Sequence, residues 1–250
     1  MECMDIIGDG IQGKNGKEGD CIKEVPQKPK KAADGYEKGV IFKSYVPAKE
    51  GTQGLDGLAN GGNGQDGENG TDAARLTLEC RCIKSKTPIT ISLCGGNGGN
   101  GGNGGTGGSG GEGGDAGQQT KKHEKDYPPM DGGKGGNGQA GGNGGNGGAG
   151  GAGGCISITY VESELQDPFV INTSGGSAGF PGFEGYGGAG GLGGFNGERS
   201  ESRIVRAPYG NHGANGVRGL NGENGKPGMV EIHKIAEDEW RKMMEKRARQ

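Results

Sequence analysis

CGGNGGNGGNGGTGGSGGEGGDAG occupies residues 94–117. Glycine fills two of every three positions, and the third residue is small or polar. Glycine loses more conformational freedom on folding than any other residue. Such a stretch is therefore either a flexible linker or a structure that needs glycine. The triplet phase decides between them. It holds along the whole stretch, and a linker has no reason to keep register.

The same period recurs elsewhere in the chain. Glycine returns at every third position over residues 10–19, 51–70, 132–154, 176–197 and 210–228, with one slip between Gly57 and Gly61. A period repeated in this way marks a repeat architecture. Short apolar segments stand between the runs: MDII, ARLTLECRC, ITISL, ISITYV, FVINT and MVEIHKI. They alternate with period two and are rich in β-branched residues, so they predict strands. GVIFKSYV (residues 39–46) predicts a further strand inside a longer insertion. The last residues, IAEDEWRKMMEKRARQ, are charged and free of glycine and proline, and predict a helix.

Period three is the period of polyproline II, with about 3.1 Å rise per residue. Each run then carries continuous glycine faces along which backbones can approach closely. With only 10 prolines among 250 residues, the chain is too poor in proline for collagen. The expected fold is a polyglycine II helix bundle of about six antiparallel runs in two layers, on a small antiparallel β-base with a short C-terminal α-helix. Folding the chain at residues 118–131 sets Gly117 against Gly132, Cys94 against Cys155, and ITISL against ISITY as antiparallel partners. Each arm would be roughly 70 Å long at the polyproline II rise. The GGx runs should lie centrally and the Gxx runs at the edges. Residues 1–235 are expected to form this unit, and 236–250 a helical tail or linker.

The 64 glycines leave only 28% hydrophobic residues, so a large apolar core is excluded. The net charge of −3 gives no pull towards nucleic acid or membrane. No stretch approaches the ~20 apolar residues of a membrane span. MECMDIIGDG has no signal-peptide pattern, which predicts a protein of the cytoplasm or of a virion assembled there.

GGNGGNGGNGGTGG (residues 95–108) and GGNGGNGGAGGAGG (residues 141–154) resemble the repeats of polyglycine II sandwich proteins. These include the tip adhesins of T-even-type phage tail fibres and the snow flea antifreeze protein. For the adhesins, the resemblance implies tip loops that contact a receptor and an opposite end that attaches to the fibre. For the antifreeze type, it implies a flat face presented to ice.

Three insertions, residues 20–50, 118–131 and 198–209, should cluster at the tip. They carry Tyr36, Tyr45, Lys121, Lys122, Tyr127, Arg203, Arg206 and Tyr209. Exposed Tyr and Arg are favoured contact residues. Phe180, Phe183, Tyr186 and Phe195 lie in one stripe, which we expect to pack against a neighbouring run or loop. Asn97, Asn100, Asn103, Asn143 and Asn146 form ladders that we expect to serve solubility. Cys94 and Cys155 are expected to be neighbouring thiols, and no cysteine or histidine spacing matches a metal site. No catalytic constellation and no cofactor motif is present. The expected function is non-enzymatic recognition or adhesion through the tip loops, with a protein or surface glycan receptor as partner. A further attachment partner is expected at the β-base and C-terminal helix. The alternative is a structural scaffold or the N-terminal domain of a larger protein, with ice binding third.

Overall fold

The computed structural model describes residues 6–198 and 205–249. Its regular elements are β1 (Ile6–Ile7), β2 (Tyr36–Lys38), β3 (Ser44–Val46), β4 (Leu76–Ile83), β5 (Ile89–Ser92), β6 (Ile156–Ser163), β7 (Phe169–Asn172), β8 (Val230–Lys234) and α1 (Glu237–Ala248). β2 and β3 pair as an antiparallel hairpin. The other six strands gather at one end, the base, in two sheets ordered β1-β5-β7 and β4-β6-β8. Every pairing within these two sheets is parallel.

This overturns the expected fold. Among the described residues the regular structure is eight short strands in three small sheets with one C-terminal helix, not a polyglycine II bundle on an antiparallel base. β5 does not pair with β6: β5 pairs with β1 and β7, and β6 with β4 and β8. The physical reason lies in the connections. Residues 84–88 and 164–168 are too short for a parallel crossover, so each passes from one sheet to the other rather than closing a hairpin. Strands that share a sheet are separated by a long out-and-back excursion. Such a connection is what a parallel pair requires.

Alternation along the strands builds the core. Ile91 and Leu93 from one sheet, and Ile156 and Ile158 from the other, are almost completely buried. Ile83 and Tyr160 complete the cluster, and the Tyr160 ring meets Phe169 edge-on at 6.0 Å. Cys94 follows the buried Leu93 and Cys155 precedes the buried Ile156, and each is only partly buried. Both are free thiols. The Cys94 sulfur lies near Ser92, Ser174 and the Asn172 carbonyl of its own sheet.

The glycine-rich runs contain neither strand nor α-helix. They are extended segments that prolong the two sheets as two hydrogen-bonded rows. In one row, residues 10–35 bond to 94–118 (Gly13 N–H to the Asn97 carbonyl, 2.8 Å; Ala32 N–H to the Asp115 carbonyl, 2.9 Å), and residues 95–116 bond to 174–195 (Gly98 N–H to Ser177, 2.9 Å). In the other, residues 51–70 bond to 132–154 (Gly54 to Lys134, 2.8 Å), and these bond to 210–228 (Gly144 to Val217, 2.9 Å). Runs within a row are parallel. Bonds between rows are antiparallel, as in Gly145 to Gly102 and Gly148 to Gly99. The bond from Gly133 to Gly114 shows that the predicted facing of Gly117 with Gly132 is shifted by a few residues. At the slip, Gly57 donates to Asn137 and Gly61 to Ala140, so one extra residue is looped out and the ladder resumes.

Each GGx triplet in the middle of a row points its three N–H groups in three directions. Gly98 donates to Ser177 in its own row and Gly99 to Glu68 in the opposite row. Asn100 N–H donates to the Asn15 side-chain oxygen at 2.9 Å. Glycine is obligatory where two backbones meet: a Cβ on Gly101 or Gly144 would sit on a neighbouring carbonyl, that of Gly145 or Gly182.

α1 places Glu237, Asp238 and Glu239 in its first turn and Lys246 and Arg247 in its last, matching the helix dipole. Arg247 pairs with Glu79, and Arg81 with Glu237 at 2.9 Å, so the helix is tied to β4 at both ends. No described helix is long and apolar enough to cross a membrane.

Candidate recognition surface at the tip

Residues 22–32 continue the first row alongside 106–115, and the end opposite the base is built from residues 34–50 and 118–131, with residues 205–209 beside them. The first two insertions interlock. The β3 residue Tyr45 stacks on His123, with ring centroids 3.9 Å apart and planes 7° from parallel, and Tyr127 closes on Tyr45 at 5.0 Å. Beneath them Gln119 is 2% exposed and fully satisfied. Its Oε1 accepts from Tyr45 Oη at 2.7 Å and from Ala48 N–H at 3.1 Å, and its Nε2 donates to the Pro128 carbonyl at 3.1 Å. Thr120 N–H donates to Tyr45 Oη at 3.0 Å. A buried amide with all partners supplied fixes geometry, because leaving any one unmade is costly.

This buttress holds the β2–β3 hairpin outward. Its turn uses Gly39 at φ +100°, a conformation that glycine reaches without the steric cost of a Cβ. The three residues that follow project into solvent: Val40 is 93% exposed, Ile41 85% and Phe42 91%. At the hairpin base, Lys122 donates to Glu37 at 2.9 Å and Lys43 lies 3.5 Å from it. The Lys122 hydrogen bond and charge, with Lys43 adding to them, hold the Glu37 carboxyl below the usual carboxylate range.

The predicted tip residues divide into contact and support. Tyr36 is 53% exposed and Tyr209 60%. Lys121 is exposed, and Lys122 is exposed but engaged with Glu37. Tyr45 and Tyr127 are partly buried parts of the buttress. Arg206 is also a support: its guanidinium lies 3.7 Å from the Phe195 ring centroid and donates to the Gly193 carbonyl at 2.9 Å. Arg203 lies outside the described residues. Val40 and Ile41 were missed because the segment reads as one strand, and Phe42 read only as an aromatic of the first insertion; Gly39 within it was the available turn signal.

The aromatic stripe does not pack as expected. Phe180 is 71% exposed, Phe183 58% and Tyr186 69%, on the outer face of the row. Phe195 is partly covered, by Arg206 and by Lys28, and the Arg218 guanidinium lies 4.7 Å from the Phe183 ring centroid. The asparagine ladders have a structural use beyond solubility. Asn97, Asn100 and Asn103 accept the N–H groups of Ser177, Phe180 and Phe183, and Asn143 and Asn146 those of Val217 and Leu220, at 2.8 to 2.9 Å. Asn63, Asp66, Asn69 and Asp72 treat the next run in the same way.

No family model and no curated protein matches the chain. Among solved structures, a springtail antifreeze protein from Granisotoma rainieri, described as a nine polyproline type II helical bundle, is 25% identical over 69% of this chain and 94% of that one. The TM-score is 0.08, and a superposition that poor carries no argument about fold or function.

Proposed function

We propose that the protein is a non-enzymatic recognition module whose glycine-rich body holds the tip insertions against a partner protein. The observation that carries this reading is the near-complete exposure of Val40, Ile41 and Phe42 on a braced hairpin. Single exposed apolar residues are ordinary, but a contiguous apolar projection on an ordered support is a feature of interaction sites. Its rigidity lowers the ordering cost of binding. Val40, Ile41 and Phe42 offer no hydrogen bonds to sugar hydroxyls, so an apolar cleft on a protein suits this projection better than a surface glycan. Tyr36 and Lys121 would lie at its rim. The resemblance of the repeat to tail-fibre tip adhesins points the same way, and the free thiols suit a protein of the cytoplasm or of a particle assembled there.

The test uses a photo-crosslinking residue in place of Ile41, with the same residue at Leu220 as control. Crosslinking of one protein at position 41 only, lost when Val40, Ile41 and Phe42 are all changed to serine at an unchanged melting temperature, supports the reading. Equal crosslinking at both positions, or retention of the partner by the triple-serine variant, contradicts it.

A further inference from the structure

The base carries a second site, at the far end of the molecule from the tip. Where β4 leaves its sheet and turns into β5, the two sheets splay around a cavity of about 660 Å³. That volume lies within the roughly 300–1,000 Å³ of small-molecule sites. Its body is apolar, formed by Leu78, Ile83, Ile89 and Phe169. Its mouth is polar and carries Lys84 and Lys86 against the single carboxylate of Glu164. Neither lysine makes an ion pair with a described residue.

An apolar chamber with an excess of unpaired cations at its opening matches one ligand class by charge and polarity. We propose that this cavity binds a linear aliphatic carboxylate, with the chain among Leu78, Ile83, Ile89 and Phe169 and the carboxylate at Lys84 and Lys86. A neutral lipid leaves both ammonium groups unmatched, and a cationic amphiphile is repelled by them. Cys80 and Cys82 line the same wall. Burial, then the charge of Cys82, pushes the Cys80 thiol up, consistent with a wall of low polarity.

Isothermal titration of the intact protein with decanoate, dodecanoate and dodecylammonium tests the assignment. Dodecanoate should bind roughly fifteenfold more tightly than decanoate, from two further buried methylenes. Dodecylammonium should bind more weakly than either. The double variant Lys84→Glu, Lys86→Glu alters exposed side chains only and should reverse the preference towards dodecylammonium. Ile89→Trp fills the chamber and should abolish binding; if it fails to fold, the lysine variant still decides. Dodecanoate should also slow alkylation of Cys80 and Cys82 by iodoacetamide while leaving exposed Cys21 unaffected. Absence of saturable dodecanoate binding overturns the proposal, as does indifference to chain length or to the lysine reversal. Binding that appears only after removal of residues 1–5 also overturns it, by assigning the chamber to the chain's own beginning.

Discussion

At the residue scale, glycine and asparagine divide the work of satisfying the backbone. A buried N–H without a partner costs roughly 1–3 kcal/mol, and the interior of a glycine row offers no water to supply one. Gly101→Val places side-chain atoms against backbone on the opposite row. It should cost about 1–3 kcal/mol in urea denaturation, as overpacking does. Asn100→Ala removes only the acceptor for Phe180 N–H, at the outer face. It should cost about 0.5–1.5 kcal/mol, near the lower limit because water can replace it. Equal costs at the two positions would contradict this division. Asp115 combines both kinds of contact, accepting from Phe195 N–H at 2.9 Å and from Lys28 at 2.8 Å. Burial pushes its carboxyl up, but the bonds from Lys28 and Phe195 and the charges of Lys28 and Arg206 outweigh this, leaving it below the usual range. A lowered folded-state value means stability that is present above the unfolded value, about 3.9, and lost as the pH falls through the folded one. Asp115→Asn keeps the acceptor and removes the charge. It should lower stability at pH 7 by about 0.2–1 kcal/mol, with the gap to wild type closing below about pH 4.

At the element scale, the hairpin and its buttress are separable in experiment. Replacing Val40, Ile41 and Phe42 with serine should leave the melting temperature unchanged, because none of the three is packed. Tyr45→Ala removes the stack on His123 and the hydrogen bond to Gln119. It should lower stability by less than the about 3–5 kcal/mol of a fully buried aromatic, while weakening partner binding by releasing the hairpin. Deleting residues 119–130 would be a poor test of the tip, since Gln119 is a buried part of the first insertion's support. The six base strands were legible, because period-two alternation of Ile, Leu and Val marks their positions. Their pairing was not, because local pattern does not say whether a short connection closes a hairpin or crosses between sheets. Tyr45 and Arg206 read as contact residues because composition cannot distinguish a ring or guanidinium held by Gln119 or Phe195 from one left in solvent.

At the scale of the whole molecule, a few large apolar side chains make the core, and it sits at one end. Over the rest, order rests on the backbone ladder within and between the rows. Amide hydrogen exchange of the intact protein reads this directly. Peptides from residues 95–117 and 132–154 should be protected to an extent comparable with β6, since their glycine N–H groups are paired in both directions. Exchange of these peptides at the rate of an unstructured chain, with only the base strands protected, would contradict it.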